Sequence, residues 1–135
     1  MTLLIDKKIQ INSKTNPESA VEKAVVSVCE QLHIGEEKFG NILLAVTEAV
    51  DNAISHGNKH NPDKNVQLAY HSSKEEITFL VTDEGVGFDL SHVTDPTKPE
   101  NPEHAGRGIL IMKMLADKLE FKNEEKTVLL SFNLN

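Results

Sequence analysis

The sequence predicts a single α+β domain, with helices packed on one face of a mostly antiparallel sheet. Three observations carry that expectation. Two consecutive stretches, 16–35 and 36–56, repeat apolar residues at helical spacing. Later short β-rich segments are joined by turns, which pairs them antiparallel. The chain has 135 residues and shows no internal repeat, linker or low-complexity run, which is about one domain's worth.

Leu3 to Ile11 is the expected first strand. Asn16-Pro17-Glu18 then opens a helix, with Asn16 as N-cap and Pro17 at the first helical position. Ala20, Val21, Ala24, Val25, Val28 and Leu32 form its apolar stripe, and the helix is expected to end near Gly35. A second helix runs from about Glu36 to His56, before Gly57. Lys64–Tyr70 and Glu76–Thr82 are strands on either side of a turn at 71–75. From Gly85 to Ala105 periodicity is lost, and Pro96, Pro99 and Pro102 argue for a long loop. Loops of that length in a compact domain are usually lids, binding loops or disordered. Gly106-Arg107-Gly108 opens a third helix, with Ile109, Leu110, Met112, Met114 and Leu115 as its apolar positions. Leu119–Lys122 and Thr127–Leu134 are a closing hairpin.

Composition narrows the function. Hydrophobic residues make up 39% and aromatics 4%, so the core is aliphatic. Cys29 is the single cysteine, which excludes an intramolecular disulfide and fits a reducing compartment. A net charge of −7 weighs against direct nucleic-acid binding. No basic segment followed by a long apolar run marks a signal peptide, and no stretch approaches the length of a membrane span. The expectation is a cytoplasmic protein with no membrane partner.

On the second helix, Phe39, Ile42, Leu43, Val46, Val50 and Ala53 form an apolar face. On the opposite side Asn41, Glu48, Asn52 and Ser55 come together, with Asp51 at the edge. The plain reading is a solvated polar face. The chemical reading is that Glu48 can take a proton from a hydroxyl and that the Asn52 oxygen can ligate a hard cation. Asp83 ends a strand immediately before Glu84-Gly85-Val86-Gly87. There it can accept from an exocyclic amine, while the glycines let backbone turn tightly and approach a ligand. The plain reading is a turn. Gly106-Arg107-Gly108 places free N–H groups and a guanidinium at a helix start, a setting suited to phosphate. A flexible helix start with a surface arginine is the alternative.

The order of these pieces is more specific than any one of them. Glu48-Ala49-Val50-Asp51-Asn52-Ala53 resembles the N-box of the ATP-binding (Bergerat) fold shared by DNA gyrase, histidine kinases and their relatives, the GHKL superfamily. Asp83-Glu84-Gly85-Val86-Gly87-Phe88 resembles its first glycine box, and Gly106-Arg107-Gly108-Ile109-Leu110 its second. The resemblance spans nearly the whole chain. It is strongest to the small anti-sigma-factor serine/threonine kinases of bacterial partner-switching systems, through "LAVTEAVDNAISHGN" and "GRGILIMKMLAD". Nothing upstream of Leu3 can hold the dimerisation helix of a histidine kinase, so the stand-alone kinase is the expectation.

The resemblance implies a two-layer α/β sandwich with a mixed, mostly antiparallel sheet, and ATP and Mg²⁺ as ligands. By it, Glu48 would be the general base and Asn52 the Mg²⁺ ligand. Asp83 would accept from the adenine amino group, and Gly85 and Gly87 would shape the base pocket. Gly106, Arg107 and Gly108 would face the phosphates, under a lid at 88–105. Thr127 stands where the resemblance places a threonine near the adenine-binding aspartate. The implied reaction is phosphoryl transfer to an antagonist (anti-anti-sigma, STAS-like) protein, with sequestration of a sigma factor or equivalent regulator. A homodimer is implied as well. The alternative is an ATP-gated binding module without significant kinase activity, suggested by the extra carboxylate of Asp51 beside Asn52.

Other residues add little. His56 and His60 are four apart, but Gly57 and Asn58 intervene and no further ligand follows at zinc spacing. His104 precedes the second glycine box and reads as a lid residue. Cys29 reads as core, and Met112 and Met114 as core or near-core fillers.

Overall fold

A computed structural model of the chain describes residues 4–85 and 107–134. Among the described residues, five strands and three α-helices follow in order as β1 (Asp6–Asn12), α1 (Pro17–Gln31), α2 (Glu36–Asn52), β2 (Asn65–Ser72), β3 (Glu76–Asp83), α3 (Arg107–Leu115), β4 (Lys118–Lys122) and β5 (Thr127–Asn133). The sheet order is β1-β2-β3-β5-β4. All four pairings are antiparallel, so the α+β expectation holds, with no parallel pair of a mixed sheet among the described residues.

Alternation along the strands builds the core. Ile77, Phe79 and Val81 of β3 share a face with their partners Ser72, Tyr70 and Leu68 on β2 and Phe132, Leu130 and Val128 on β5. Tyr70, Phe79 and Phe132 pack across three strands, the first pair tilted and the second edge to face, with centroids 5.7 and 6.1 Å apart. The helices cover this face with Val21, Val25 and Val28 of α1, Ile42, Val46 and Val50 of α2, and Met112 of α3, all buried. The other face is largely polar, and Thr78 and Ser131 bond there at 2.7 Å.

Helix ends show where local chemistry acts. Asn16 accepts from Ser19 N at 3.1 Å, the expected N-cap, and Pro17 takes the first helical position. α1 stops at Gln31, short of Gly35, because His33 adopts the left-handed conformation (φ 56°) and Ile34 N bonds back to the Cys29 carbonyl at 2.9 Å. α2 lasts to Asn52, and the chain then widens into a single π-type turn, Ala53–Gly57, closed by Asn58 N on the Ala53 carbonyl at 2.8 Å. Such turns inside helices often mark functional sites. Met114 and Leu110 depart from their expected core positions, at 73% and 43% exposure, because α3 turns Gly108, Ile109 and Met112 inward.

Candidate functional site

Glu48 and Asn52 stand one turn apart on α2, and both are half-buried, as are Asn41 and Ser55. That is drier than a freely solvated helix face. Over Glu48 and Asn52 the cover comes from α3. A Cβ on Gly108 would lie 2.8 Å from Glu48 Oε2 and 3.1 Å from Asn52 Nδ2. The backbone at the start of α3 therefore rests against the carboxylate and the carboxamide. Arg107, the first residue of α3, is exposed.

The second cluster lies just past the end of α2. Asp83 is the last residue of β3 and is only 5% exposed, on the core face opposite Val66. Its Oδ1 accepts from Gly85 N at 2.8 Å, and its own N–H donates to the Lys126 carbonyl at 3.1 Å. The π-type turn brings Gly57 against it, where a Cβ would overlap the Asp83 carboxyl. A Cβ on Gly85 would in turn overlap the Gly57 carbonyl, so each glycine is required by a close backbone approach. Gly57 follows Asn52 by about 7 Å along the helix axis. The Glu48–Asn52 pair thus lies near the end of α2, and Asp83 packs on the π-type turn that continues it.

Thr127 stands on the strand beside Asp83, one residue after Lys126, whose carbonyl receives the Asp83 N–H. It pairs in register with Thr82, and their hydroxyls bond at 2.8 Å on the face opposite the core. Alternation sends the Asp83 side chain to the other face. The Thr127 hydroxyl also donates to the Glu125 carbonyl at 2.9 Å. Gly87, Gly106, His104 and the expected lid at 88–105 lie outside the described residues.

Two residues of this region were not singled out from the sequence. Gly57 reads there as a helix stop and Asn58 as a polar interruption between histidines. Asn58 is in fact 4% exposed, and its side chain spans two segments: Oδ1 accepts from Glu84 N at 2.8 Å, and Nδ2 donates to the Asn65 carbonyl at 3.0 Å. The available signal was the glycine-asparagine pair directly after a helix that ends without a conventional cap.

Asp51 is pushed up to about 6 by burial first, then by the negative charges of Glu48 and Glu18. It faces a cavity of about 440 Å³ between α1 and the end of α2, lined by Asn16, Glu18, Ser55 and His60 among others. Among the described residues, no three His, Cys, Asp or Glu side chains are arranged to hold a metal ion by themselves. A cation at Asn52 would need ligands from a bound anion. Burial pushes the Cys29 thiol up to about 11, so it stays protonated, as a core cysteine should. No helix among the described residues is long and apolar enough to cross a membrane.

Comparison with known proteins converges on one family. The family described as "Histidine kinase-like ATPase domain" matches residues 12–132. An anti-sigma F factor of Clostridium novyi (strain NT) is 31% identical over 122 residues, covering 88% of this chain and 85% of the relative. An anti-sigma F factor of Bacillus cytotoxicus is 32% identical over 124 residues, covering 89% and 84%. One from Clostridium perfringens (strain 13 / Type A) is 30% identical over 126 residues, covering 90% of both chains.

Proposed function

The chain belongs to the histidine kinase-like ATPase domain family, and from that premise we propose an ATP-binding anti-sigma-type regulator that acts as a serine/threonine kinase. Its substrate would be a small antagonist protein of the STAS type, and its sequestered partner a sigma factor or equivalent regulator. The relatives named anti-sigma F factor support the regulatory part of this reading. The single observation that carries the site is the seat of Gly108 against Glu48 and Asn52. A helix start without a side chain, a carboxylate and a neutral amide oxygen form a cradle that a Cβ would fill.

The donor set fits the ligands. When bound, MgATP supplies the phosphoryl group and a cation that offsets its charge. Asn52 offers the cation a hard, uncharged oxygen. The first N–H groups of α3 and the Arg107 guanidinium receive phosphate oxygens. Asp83 accepts from the adenine amino group, and Gly85 and Gly87 leave the base room. Glu48 takes the proton of the acceptor hydroxyl. Thr127, with its hydroxyl bonded to Thr82, serves by tying β5 to β3 beneath Asp83. A homodimer and a cytoplasmic location complete the reading and rest on family resemblance.

The test is phosphate transfer from labelled MgATP to the cognate STAS-type antagonist. The wild type labels a serine or threonine, and Glu48→Gln retains ATP binding but loses about a hundredfold in rate. A wild type that binds MgATP and labels nothing would turn the reading to an ATP-gated binding module. Asp51 favours that second reading, since its carboxyl, though raised to about 6, still ionises at neutral pH and adds a negative charge beside the proposed metal ligand.

A further inference from the structure

Asn58 buries a whole carboxamide at the joint between the π-type turn and β2, and every polar group it has is engaged. Its backbone N–H donates to the Ala53 carbonyl at 2.8 Å, and its carbonyl accepts from Asn61 N at 3.0 Å. Its side chain takes the N–H of Glu84 and gives a hydrogen bond to the Asn65 carbonyl. Glu84 closes the ring by accepting from Asn65 N through Oε1. One side chain thus locks together the end of the helix, the start of β2 and the end of β3. The lock acts on the residue next to Asp83. A Cβ on Gly85 would also meet the Asn58 Cα at 2.9 Å, so the turn after Asp83 is packed directly on Asn58.

That placement matters because a carboxylate selects an exocyclic amine by direction, and hydrogen bonds weaken steeply with misalignment. Asp83 ends its strand and is followed by a glycine step, where backbone is least constrained. We propose that Asn58 is a positioning residue for base recognition: its grip on Glu84 N and Asn65 O fixes the direction in which Asp83 presents its carboxylate to the adenine amino group. The inference rests on the adenine-binding reading of Asp83. It makes Asn58 responsible for the choice of base and not for grip on the phosphates.

The probe pair is ATP and the triphosphate of purine riboside, which is ATP without its exocyclic amino group. Both are titrated with Mg²⁺ into the wild type, Asn58→Ala and the milder Asn58→Ser, with thermal melting as the fold control. The wild type prefers ATP. In the variants that preference shrinks by about tenfold, while affinity for the purine riboside triphosphate holds. Equal weakening of both ligands, or an intact preference, overturns the proposal, because a merely structural residue would behave so. Loss of the fold in both variants overturns it as well. A wild type that binds both ligands equally removes the adenine reading of Asp83 first, and the role of Asn58 with it.

Discussion

At Gly108 the space for a side chain is already occupied by Glu48 and Asn52. Glu48 Oε2 is the far end of a flexible side chain, so Gly108→Ala is accommodated by swinging Glu48 aside. Alanine also favours helix over glycine by about 0.5–1 kcal/mol. The variant should therefore melt at or slightly above the wild-type temperature and yet bind MgATP about tenfold more weakly by calorimetry. Unchanged affinity would remove the phosphate role from the start of α3. Asp51 gives a prediction of the opposite kind. Its folded pKa of about 6 lies above the ordinary value of 3.8. The folded state therefore disfavours its carboxylate, a cost absent below pH 4 that grows as pH rises through 6. In the protein without nucleotide or Mg²⁺, Asp51→Asn should be more stable than wild type at pH 7.5 by about 1 kcal/mol, allowing for solvent screening. The gain should vanish near pH 4, and a gain that persists there would refute the burial argument. At this scale the pairing of Glu48 with Asn52 and the turn after Asp83 were legible, because the first two share a helical spacing and Asp83 precedes glycines. Asn58 was not, because its partners at Glu84 and Asn65 are far or turned away in sequence.

Elements were legible where their signals are local. Asn16-Pro17 announces α1, and alternation in β3 announces a half-buried strand. The end of α1 was misplaced because its stop is a histidine in a conformation that normally favours glycine. That strain makes a test. His33 is exposed and held at φ 56°, where a side chain costs about 1 kcal/mol. His33→Gly should raise the urea midpoint by the equivalent of about 0.5–1 kcal/mol with an unchanged m value. A lower midpoint would mean that the His33 ring makes a contact that outweighs the backbone strain. The π-type turn was illegible for another reason. Nothing in Ala53–His56 departs from helical composition, and the widening brings Gly57 to Asp83, a tertiary demand. Thr127 shows the same limit: its side-chain direction follows from register with Thr82, which no local pattern states.

Across the whole molecule, the site draws on α2, the turn after it, the end of β3 and the start of α3, while β5 enters the sheet between β3 and β4. A ligand that touches all of these segments joins parts of the chain that are distant in sequence, so it binds the folded state and not the unfolded chain. Its binding must appear as stability. At MgATP a hundredfold above its dissociation constant, the gain is about 2.7 kcal/mol. For a domain of this size that corresponds to a rise in melting temperature of about 10 °C. Asp83→Asn reverses half of the carboxylate's accepting capacity, since an amide nitrogen cannot receive the adenine amine. The shift at the same MgATP concentration should then largely disappear, while the variant's melting temperature without ligand stays near that of the wild type. Because Asp83 Oδ1 also holds Gly85 N, that second result carries weight of its own. An amide oriented with its oxygen toward Gly85 N keeps the turn and turns its nitrogen toward the base. A large fall in the unliganded melting temperature would place Asp83 in the architecture of the turn, and a full shift with MgATP would take it out of base recognition.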